Sequence, residues 1–129
     1  MDLHHSDLTT WRHRFFGFND AVIRRWSLSA TTSHTSLEVD IETRDLQSTR
    51  TGWSLVTLRI PNSSSVAYTR SGKMNYDVLS NGLHVIHEDG VFGLEFGHFV
   101  DAPENLDQLA SSPCHAVAPR VDWKATEAG

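Results

Sequence analysis

The sequence predicts a mainly β protein, an antiparallel sheet folded as a sandwich, a strongly bent sheet or a partly open barrel with one or two short helices. Within residues 36–43, three aliphatic side chains (Leu37, Val39, Ile41) alternate strictly with three acidic ones (Glu38, Asp40, Glu42), which is the period of a half-buried strand. An Asn-Gly pair at 81–82 and an Asp-Gly pair at 89–90 lie between apolar runs, and such pairs favour the tight turns of hairpins. Patterns with a helical period are scarce.

The length and composition indicate one folded domain. The chain has 129 residues, of which 39% are hydrophobic, and it shows no low-complexity tract or long linker. A chain of this size can bury one core without a disulfide or a structural metal. Its single cysteine, Cys114, excludes an intramolecular disulfide. We expect one β-rich domain over residues 1–129, with residues 1–10 and 126–129 flexible.

The charge pattern bears on partners and location. The formal net charge is −5, and the lysines and arginines are scattered. Binding to nucleic acid or to an anionic membrane surface relies on clustered cations, so we expect neither. No apolar run approaches the roughly 20 residues of a membrane-spanning helix, and the first residues lack the order of a secretory signal. The default expectation is a soluble cytoplasmic protein of bacterial type.

Residues 21–29 read as a strand that pairs with residues 36–43. Strict alternation would place Val22, Trp26 and Leu28 on one face, and the Ser- and Thr-rich residues 30–36 would form the connection. In such a hairpin Arg24 or Arg25 could lie opposite the acidic residues of the second strand. Cross-strand ion pairs of this kind contribute only about 0.2–1 kcal/mol each.

Later segments continue the β pattern. Residues 53–60 carry apolar side chains on both faces, as in a central strand, and Pro61 ends that strand. Residues 66–69 could add a short strand, and a Ser-Gly pair at 71–72 marks a turn. The two turn pairs at 81–82 and 89–90 predict a three-stranded meander, whose strands are residues 75–79, 83–87 and 91–99.

The remaining elements are short. Residues 103–110 are the best helix candidate because Pro103 suits a first helical turn, and residues 8–16 could form an N-terminal turn or helix. Residues 121–124 read as a last edge strand.

The eight histidines suggest a metal site as one hypothesis. The richest region holds His84, His87 and His98 together with nearby acidic residues. Residues three apart on a strand face opposite sides, so His84 and His87 cannot share an ion without a bulge. A zinc site needs at least three protein ligands, and the remaining candidate set is His87, His98 and Asp101.

Two other features have a structural and a chemical interpretation. Cys114 precedes His115. Neighbouring side chains in an extended segment point apart, so we favour a buried apolar role for Cys114 over that of an activated thiol.

Glu95 lies between spaced glycines and phenylalanines. The glycines indicate curvature or close approach, and a lone carboxylate lacks the positioned partner that acid–base catalysis needs. We therefore predict no catalytic residue and no cofactor.

The element Phe16-Gly17-Phe18-Asn19-Asp20-Ala21-Val22-Ile23, followed by acidic alternating strands, resembles the start of small uncharacterised bacterial β-rich proteins. Some of these are grouped with immunity proteins of polymorphic toxin systems. The resemblance covers about a quarter of the chain, and Asn19 stands where such sequences often have His. It implies no catalytic residues.

Three functional hypotheses follow. The first is a non-catalytic protein-interaction module of the immunity type, with Glu38, Asp40 and Glu42 as the partner-binding face. The alternative is a small-ligand or metal-binding protein that uses His87, His98 and Asp101. A homodimer formed through exposed sheet edges is compatible with both.

Overall fold

The structure, a computed structural model, describes residues 1–69 and 77–128. It consists of two antiparallel sheets that do not close into a barrel. The strands, in chain order, are β1 (Ala21–Ala30), β2 (Thr35–Arg44), β3 (Trp53–Ile60), β4 (Ser65–Ala67), β5 (Asp77–Leu79), β6 (Leu83–Glu88), β7 (Val91–Phe96), β8 (His115–Ala118) and β9 (Asp122–Glu127). The helices are α1 (Leu8–Arg14) and α2 (Leu106–Leu109), with 3₁₀ turns at His5–Asp7 and Phe16–Phe18.

The two sheets share one hydrophobic core. The five-stranded sheet has the order β5-β1-β2-β3-β9, and the four-stranded sheet has the order β4-β8-β7-β6. Alternate side chains of β2, β3 and β7 bury themselves between the sheets, where Phe15 and Phe18 from the N-terminal segment join them. The predicted mainly β class is confirmed, and the arrangement is that of a sandwich.

A β-bulge at Arg24 corrects the predicted facing of β1. Ile23 pairs with Ile41 and Arg25 pairs with Asp40, so Arg24 is the extra residue. The extra residue shifts by one position the alternation of side chains between the two faces of β1. Ile23 before it and Trp26 after it therefore face the same interior, where strict alternation had placed them on opposite faces.

The Asn81-Gly82 pair does not form the predicted hairpin. β5 instead joins β1, where Leu79 lies opposite Ala21, and β6 belongs to the other sheet. Gly82 has φ +77°, and a Cβ at this position would lie 2.4 Å from the carbonyl oxygen of Gly17. The pair therefore lies in the connection that takes the chain from β5 in one sheet to β6 in the other, where Gly82 packs closely against the backbone of Gly17. Residues 75–76 and the predicted turn at 71–72 lie outside the described residues.

The second turn pair behaves as predicted. Asp89 and Gly90 both have positive φ, as a type I′ turn requires, and they join β6 to β7 in an antiparallel hairpin. The strand predicted over 91–99 ends earlier, at Phe96, and the helix predicted over 103–110 is the single turn α2. The last strand, β9, is longer than predicted.

Residues 97–113, here called the cover segment, cross the outer face of the four-stranded sheet. Gly93 of β7 lies beneath it, and a Cβ there would come within 2.7 Å of Leu106 and 2.9 Å of Leu109. The lack of a side chain at Gly93 thus allows α2 to pack on the sheet. The close approach at Gly93 is made by side chains of the cover segment and not by another backbone.

The N-terminal residues lie along β9. The backbone N–H of Leu3 donates to the carbonyl of Val121 at 2.8 Å, and that of Trp123 donates to Met1 at the same distance. The flexibility expected at the two termini stays a prediction. Among residues 1–69 and 77–128, no helix is long and apolar enough to cross a membrane.

Candidate functional site

The predicted partner-binding acids form an ion-paired ladder on the outer face of the five-stranded sheet. Arg25 donates to both Glu38 and Asp40, the latter at 2.8 Å, and Arg24 donates to Glu42 at 2.7 Å. The predicted cross-strand pairing is therefore confirmed. Hydrogen bonds from Arg25 lower the pKa of Glu38. Burial raises the pKa of Asp40, but bonds from Arg25 and Thr57 outweigh burial and lower it overall.

This pairing removes the excess charge that would attract a basic partner. Arg59 adds a third cation, 3.4 Å from Glu38. Three carboxylates thus lie among three guanidinium groups of the same sheet, and their fields largely cancel beyond a few ångströms. The ladder is a solvated mixed-charge surface that contributes modestly to sheet register.

The structure does not gather the candidate metal ligands. His87 faces the same side as Leu83 and Val85, and its ring lies 4.7 Å from that of His5 and 4.6 Å from that of Phe92. His98 and Asp101 are exposed in the cover segment. No group of three or more His, Cys, Asp or Glu side chains is placed to hold a metal ion within the described part of the chain.

A buried polar row crosses the outer face of the four-stranded sheet. His84, Glu95 and His115 lie directly opposite one another on β6, β7 and β8. All three are buried, and Glu95 has no exposed surface. Burying an ionisable group costs free energy unless the group is hydrogen-bonded. The hydrogen-bond partners of these three side chains therefore indicate their role.

Glu95 accepts three hydrogen bonds from the cover segment. The backbone N–H groups of His98 and Phe99 donate to its two carboxylate oxygens at 3.0 and 3.1 Å. The hydroxyl of Ser112 donates to the same carboxylate at 2.7 Å. The single carboxylate therefore fastens both ends of the cover segment to the middle of the sheet.

The two histidines of the row bind the same segment. His84 Nε2 lies 2.9 Å from the carbonyl oxygen of Phe99, and His115 Nδ1 lies 2.7 Å from that of Ser112. A carbonyl can only accept, so these nitrogens carry protons. His115 Nε2 lies 2.8 Å from the hydroxyl of Ser65.

The Ser65–His115 contact resembles a nucleophile beside its base, with the Ser112 carbonyl as the orienting group. Both ring nitrogens of His115 are, however, bonded within the protein, and the side chain is 4% exposed. Cys114 is likewise buried, at 2% exposure. We assign this cluster to the packing of the cover segment.

The part of the chain around this polar row carries charge of only one sign. Residues 81–119 contain no lysine or arginine but six acidic residues, a formal −6 against −5 for the whole chain, which leaves +1 for the remainder. Except for buried Glu95, these acids lie at the end of β6, in the β6–β7 turn and in the cover segment; they are Glu88, Asp89, Asp101, Glu104 and Asp107. None of these five makes an ion pair within residues 1–69 and 77–128.

An apolar side chain lies within this acidic surface. Val100 is 78% exposed, beside Asp101. We call the five carboxylates and Val100 the acidic cover. Sequence reasoning missed this surface because its acids are spread over 20 residues without a strand period. The absence of lysine and arginine over residues 81–119 was the signal that could have revealed it.

Comparisons of the chain with protein-family models, curated proteins and solved structures find no match.

Proposed function

We propose that this chain is a non-catalytic protein-interaction module that binds a basic surface of a partner protein through the acidic cover. The observation that carries the proposal is the contrast between the two acidic surfaces. The carboxylates of the ladder are neutralised by their own sheet, whereas those of the acidic cover have no cation beside them in the described structure. Unneutralised charge of one sign accelerates association with an oppositely charged partner.

The acidic cover also has features that a simple solvated surface does not need. The Glu95 carboxylate and the two histidines of the row fix the segment to the sheet, so little ordering entropy is lost on binding. Val100 supplies an exposed apolar contact among the charges, and interfaces commonly surround such contacts with a polar rim.

A toxin-neutralising role is one instance of this function. The N-terminal resemblance to toxin-immunity proteins supports it, and an acidic cover of this kind would suit a toxin whose working surface is basic. The partner is defined here by its chemistry, a cationic protein surface with an apolar pocket or patch for Val100.

The test compares two variants that change the net charge by the same amount. One neutralises the acidic cover (Asp101→Asn, Glu104→Gln, Asp107→Asn), and the other neutralises the ladder (Glu38→Gln, Asp40→Asn, Glu42→Gln). The probe is a short synthetic peptide of lysine, arginine and serine with one central leucine, titrated by calorimetry at physiological salt.

We expect the cover variant to lose about tenfold or more in affinity and the ladder variant to bind nearly as the unmodified chain does, because distant charges are screened. Equal losses in both variants would show a non-specific charge effect and overturn the proposal. A loss confined to the ladder variant would show that the partner-binding face consists of Glu38, Asp40 and Glu42 instead, and would also overturn the proposal.

A further inference from the structure

A cavity lies between α1, the Phe16–Phe18 turn and β6. Its volume is about 490 Å³, which is within the range of small-molecule sites. Its walls are mainly apolar and include Leu8, Phe16, Leu46 and Val85. Among residues 1–69 and 77–128, no aspartate or glutamate lines it.

The cavity contains one arginine with an unusual environment. Arg12 is half-buried, and its Nε donates to the carbonyl oxygen of Leu83 at 2.9 Å. Its two terminal amino groups have no hydrogen-bond partner within residues 1–69 and 77–128. Burial lowers the pKa of Arg12, and no neighbouring carboxylate offsets that effect.

Other arginines of the fold satisfy their charge differently. Arg14, Arg24, Arg25, Arg59 and Arg120 each lie within 4 Å of a carboxylate. Arg44 stacks on the ring of Phe16, 4.1 Å from its centroid. Arg12 therefore keeps a partly desolvated charge that has no carboxylate beside it among the residues that the structure describes, and a partner anion would relieve the cost of that burial.

We propose that this cavity binds a small organic carboxylate with an apolar body. The paired terminal amino groups of a guanidinium match the two oxygens of a carboxylate, and the bond from Nε to Leu83 holds the group in place. The apolar walls would bury the rest of the ligand. Within the described part of the chain, Arg12 is the only lysine or arginine that lines the cavity, and the other polar side chains of its lining are Thr9, His13 and Asn19. One permanent positive charge matches a monocarboxylate better than a doubly charged phosphate.

The position of the cavity makes the site testable without disturbing the core. Leu46 is 54% exposed at the rim, so a charged side chain there would repel an anion and leave the fold intact. Leu28 provides a matched control, since it is 50% exposed on β1 and does not line the cavity.

The experiment titrates phenylpropionate into the full chain by calorimetry, with backbone amide NMR shifts at Gly17 and Asn19 locating the site. We expect phenylpropionate to bind and its amide to bind at least about tenfold more weakly. Arg12→Lys keeps the charge but loses the paired geometry, and it should weaken binding about tenfold. Leu46→Glu should abolish binding, whereas Leu28→Glu should leave it unchanged.

Each other outcome decides against the proposal. Equal binding of the amide would show an apolar cavity with no role for the arginine. Inorganic phosphate that competes with phenylpropionate at similar affinity would show a general anion site. Unchanged affinity in Leu46→Glu, or no binding of phenylpropionate to the unmodified chain, would overturn it outright.

Discussion

The backbone N–H of His98 lies 3.0 Å from the carboxylate of Glu95, three residues before it in the chain. This contact turns the chain out of β7 and over the face of the sheet that β7 has just formed. Because Phe99 and Ser112 donate to the same carboxylate, one fully buried side chain holds the cover segment on the sheet.

Replacing Glu95 by Gln should therefore destabilise the protein strongly. The amide offers one acceptor oxygen and an N–H₂ group, so at least one buried donor of the cover segment loses its partner. We expect the free energy of unfolding to fall by about 2–4 kcal/mol, measured by urea denaturation. Glu104→Gln, on the exposed surface, is the control and should change it by less than about 0.5 kcal/mol. Similar small effects in both variants would contradict the assignment.

Gly93→Ala tests the contact between α2 and the sheet. The new methyl group would meet Leu106 at 2.7 Å and Leu109 at 2.9 Å, and overpacking of this kind costs about 1–3 kcal/mol. Because the clash is with side-chain ends, Leu106→Ala should relieve part of it. A double-mutant cycle measures this coupling; additive effects would show that α2 does not pack as described.

The buried Asp45 should make stability depend on pH. Burial raises the pKa of Asp45, but bonds from Arg14 and Ser54 outweigh burial and lower it overall. A carboxyl with a lowered folded-state pKa stabilises the protein above its unfolded-state pKa, about 3.9, and that stabilisation is lost as the pH falls through the folded value.

We expect Asp45→Asn to be less stable than the unmodified chain by about 2–4 kcal/mol at neutral pH. The difference between the two should shrink steadily as the pH falls below about 4. Parallel urea titrations at several pH values measure it. A difference that is independent of pH would mean that the ion pair with Arg14 does not form.

Cys114 should be inert in the folded protein. Its side chain is 2% exposed, in the hydrophobic core between the sheets, and alkylation needs an accessible thiolate. Mass spectrometry after treatment with iodoacetamide should find modification only once the chain is unfolded. Full modification of the native protein at neutral pH would contradict the packing of this cluster.

The sequence predicted the strands and not their assembly. Local alternation identifies β2 because its period is unbroken, but the bulge at Arg24 has no local signature and reverses the facing of half of β1. The Asn81-Gly82 pair carries the chemistry of a hairpin turn, yet long-range pairing of Leu79 with Ala21 decides which sheet β5 joins.

The candidate site was harder to predict for the same reason. The pairing of the ladder acids with Arg24 and Arg25 could be predicted from the hairpin, whereas Arg59 comes from β3 and was not predicted. Glu95 lacked an evident partner because its donors are backbone groups and a serine 17 residues away. Side-chain patterns cannot report partners of that kind.

Backbone amide hydrogen exchange at His98 and Phe99 measures whether the cover segment is held on the four-stranded sheet. If the Glu95 carboxylate holds the cover segment on the sheet, these two amides should exchange nearly as slowly as the buried strand amides of β7. Rapid exchange at both, as in a solvated loop, would show that Glu95 does not hold the cover segment on the sheet.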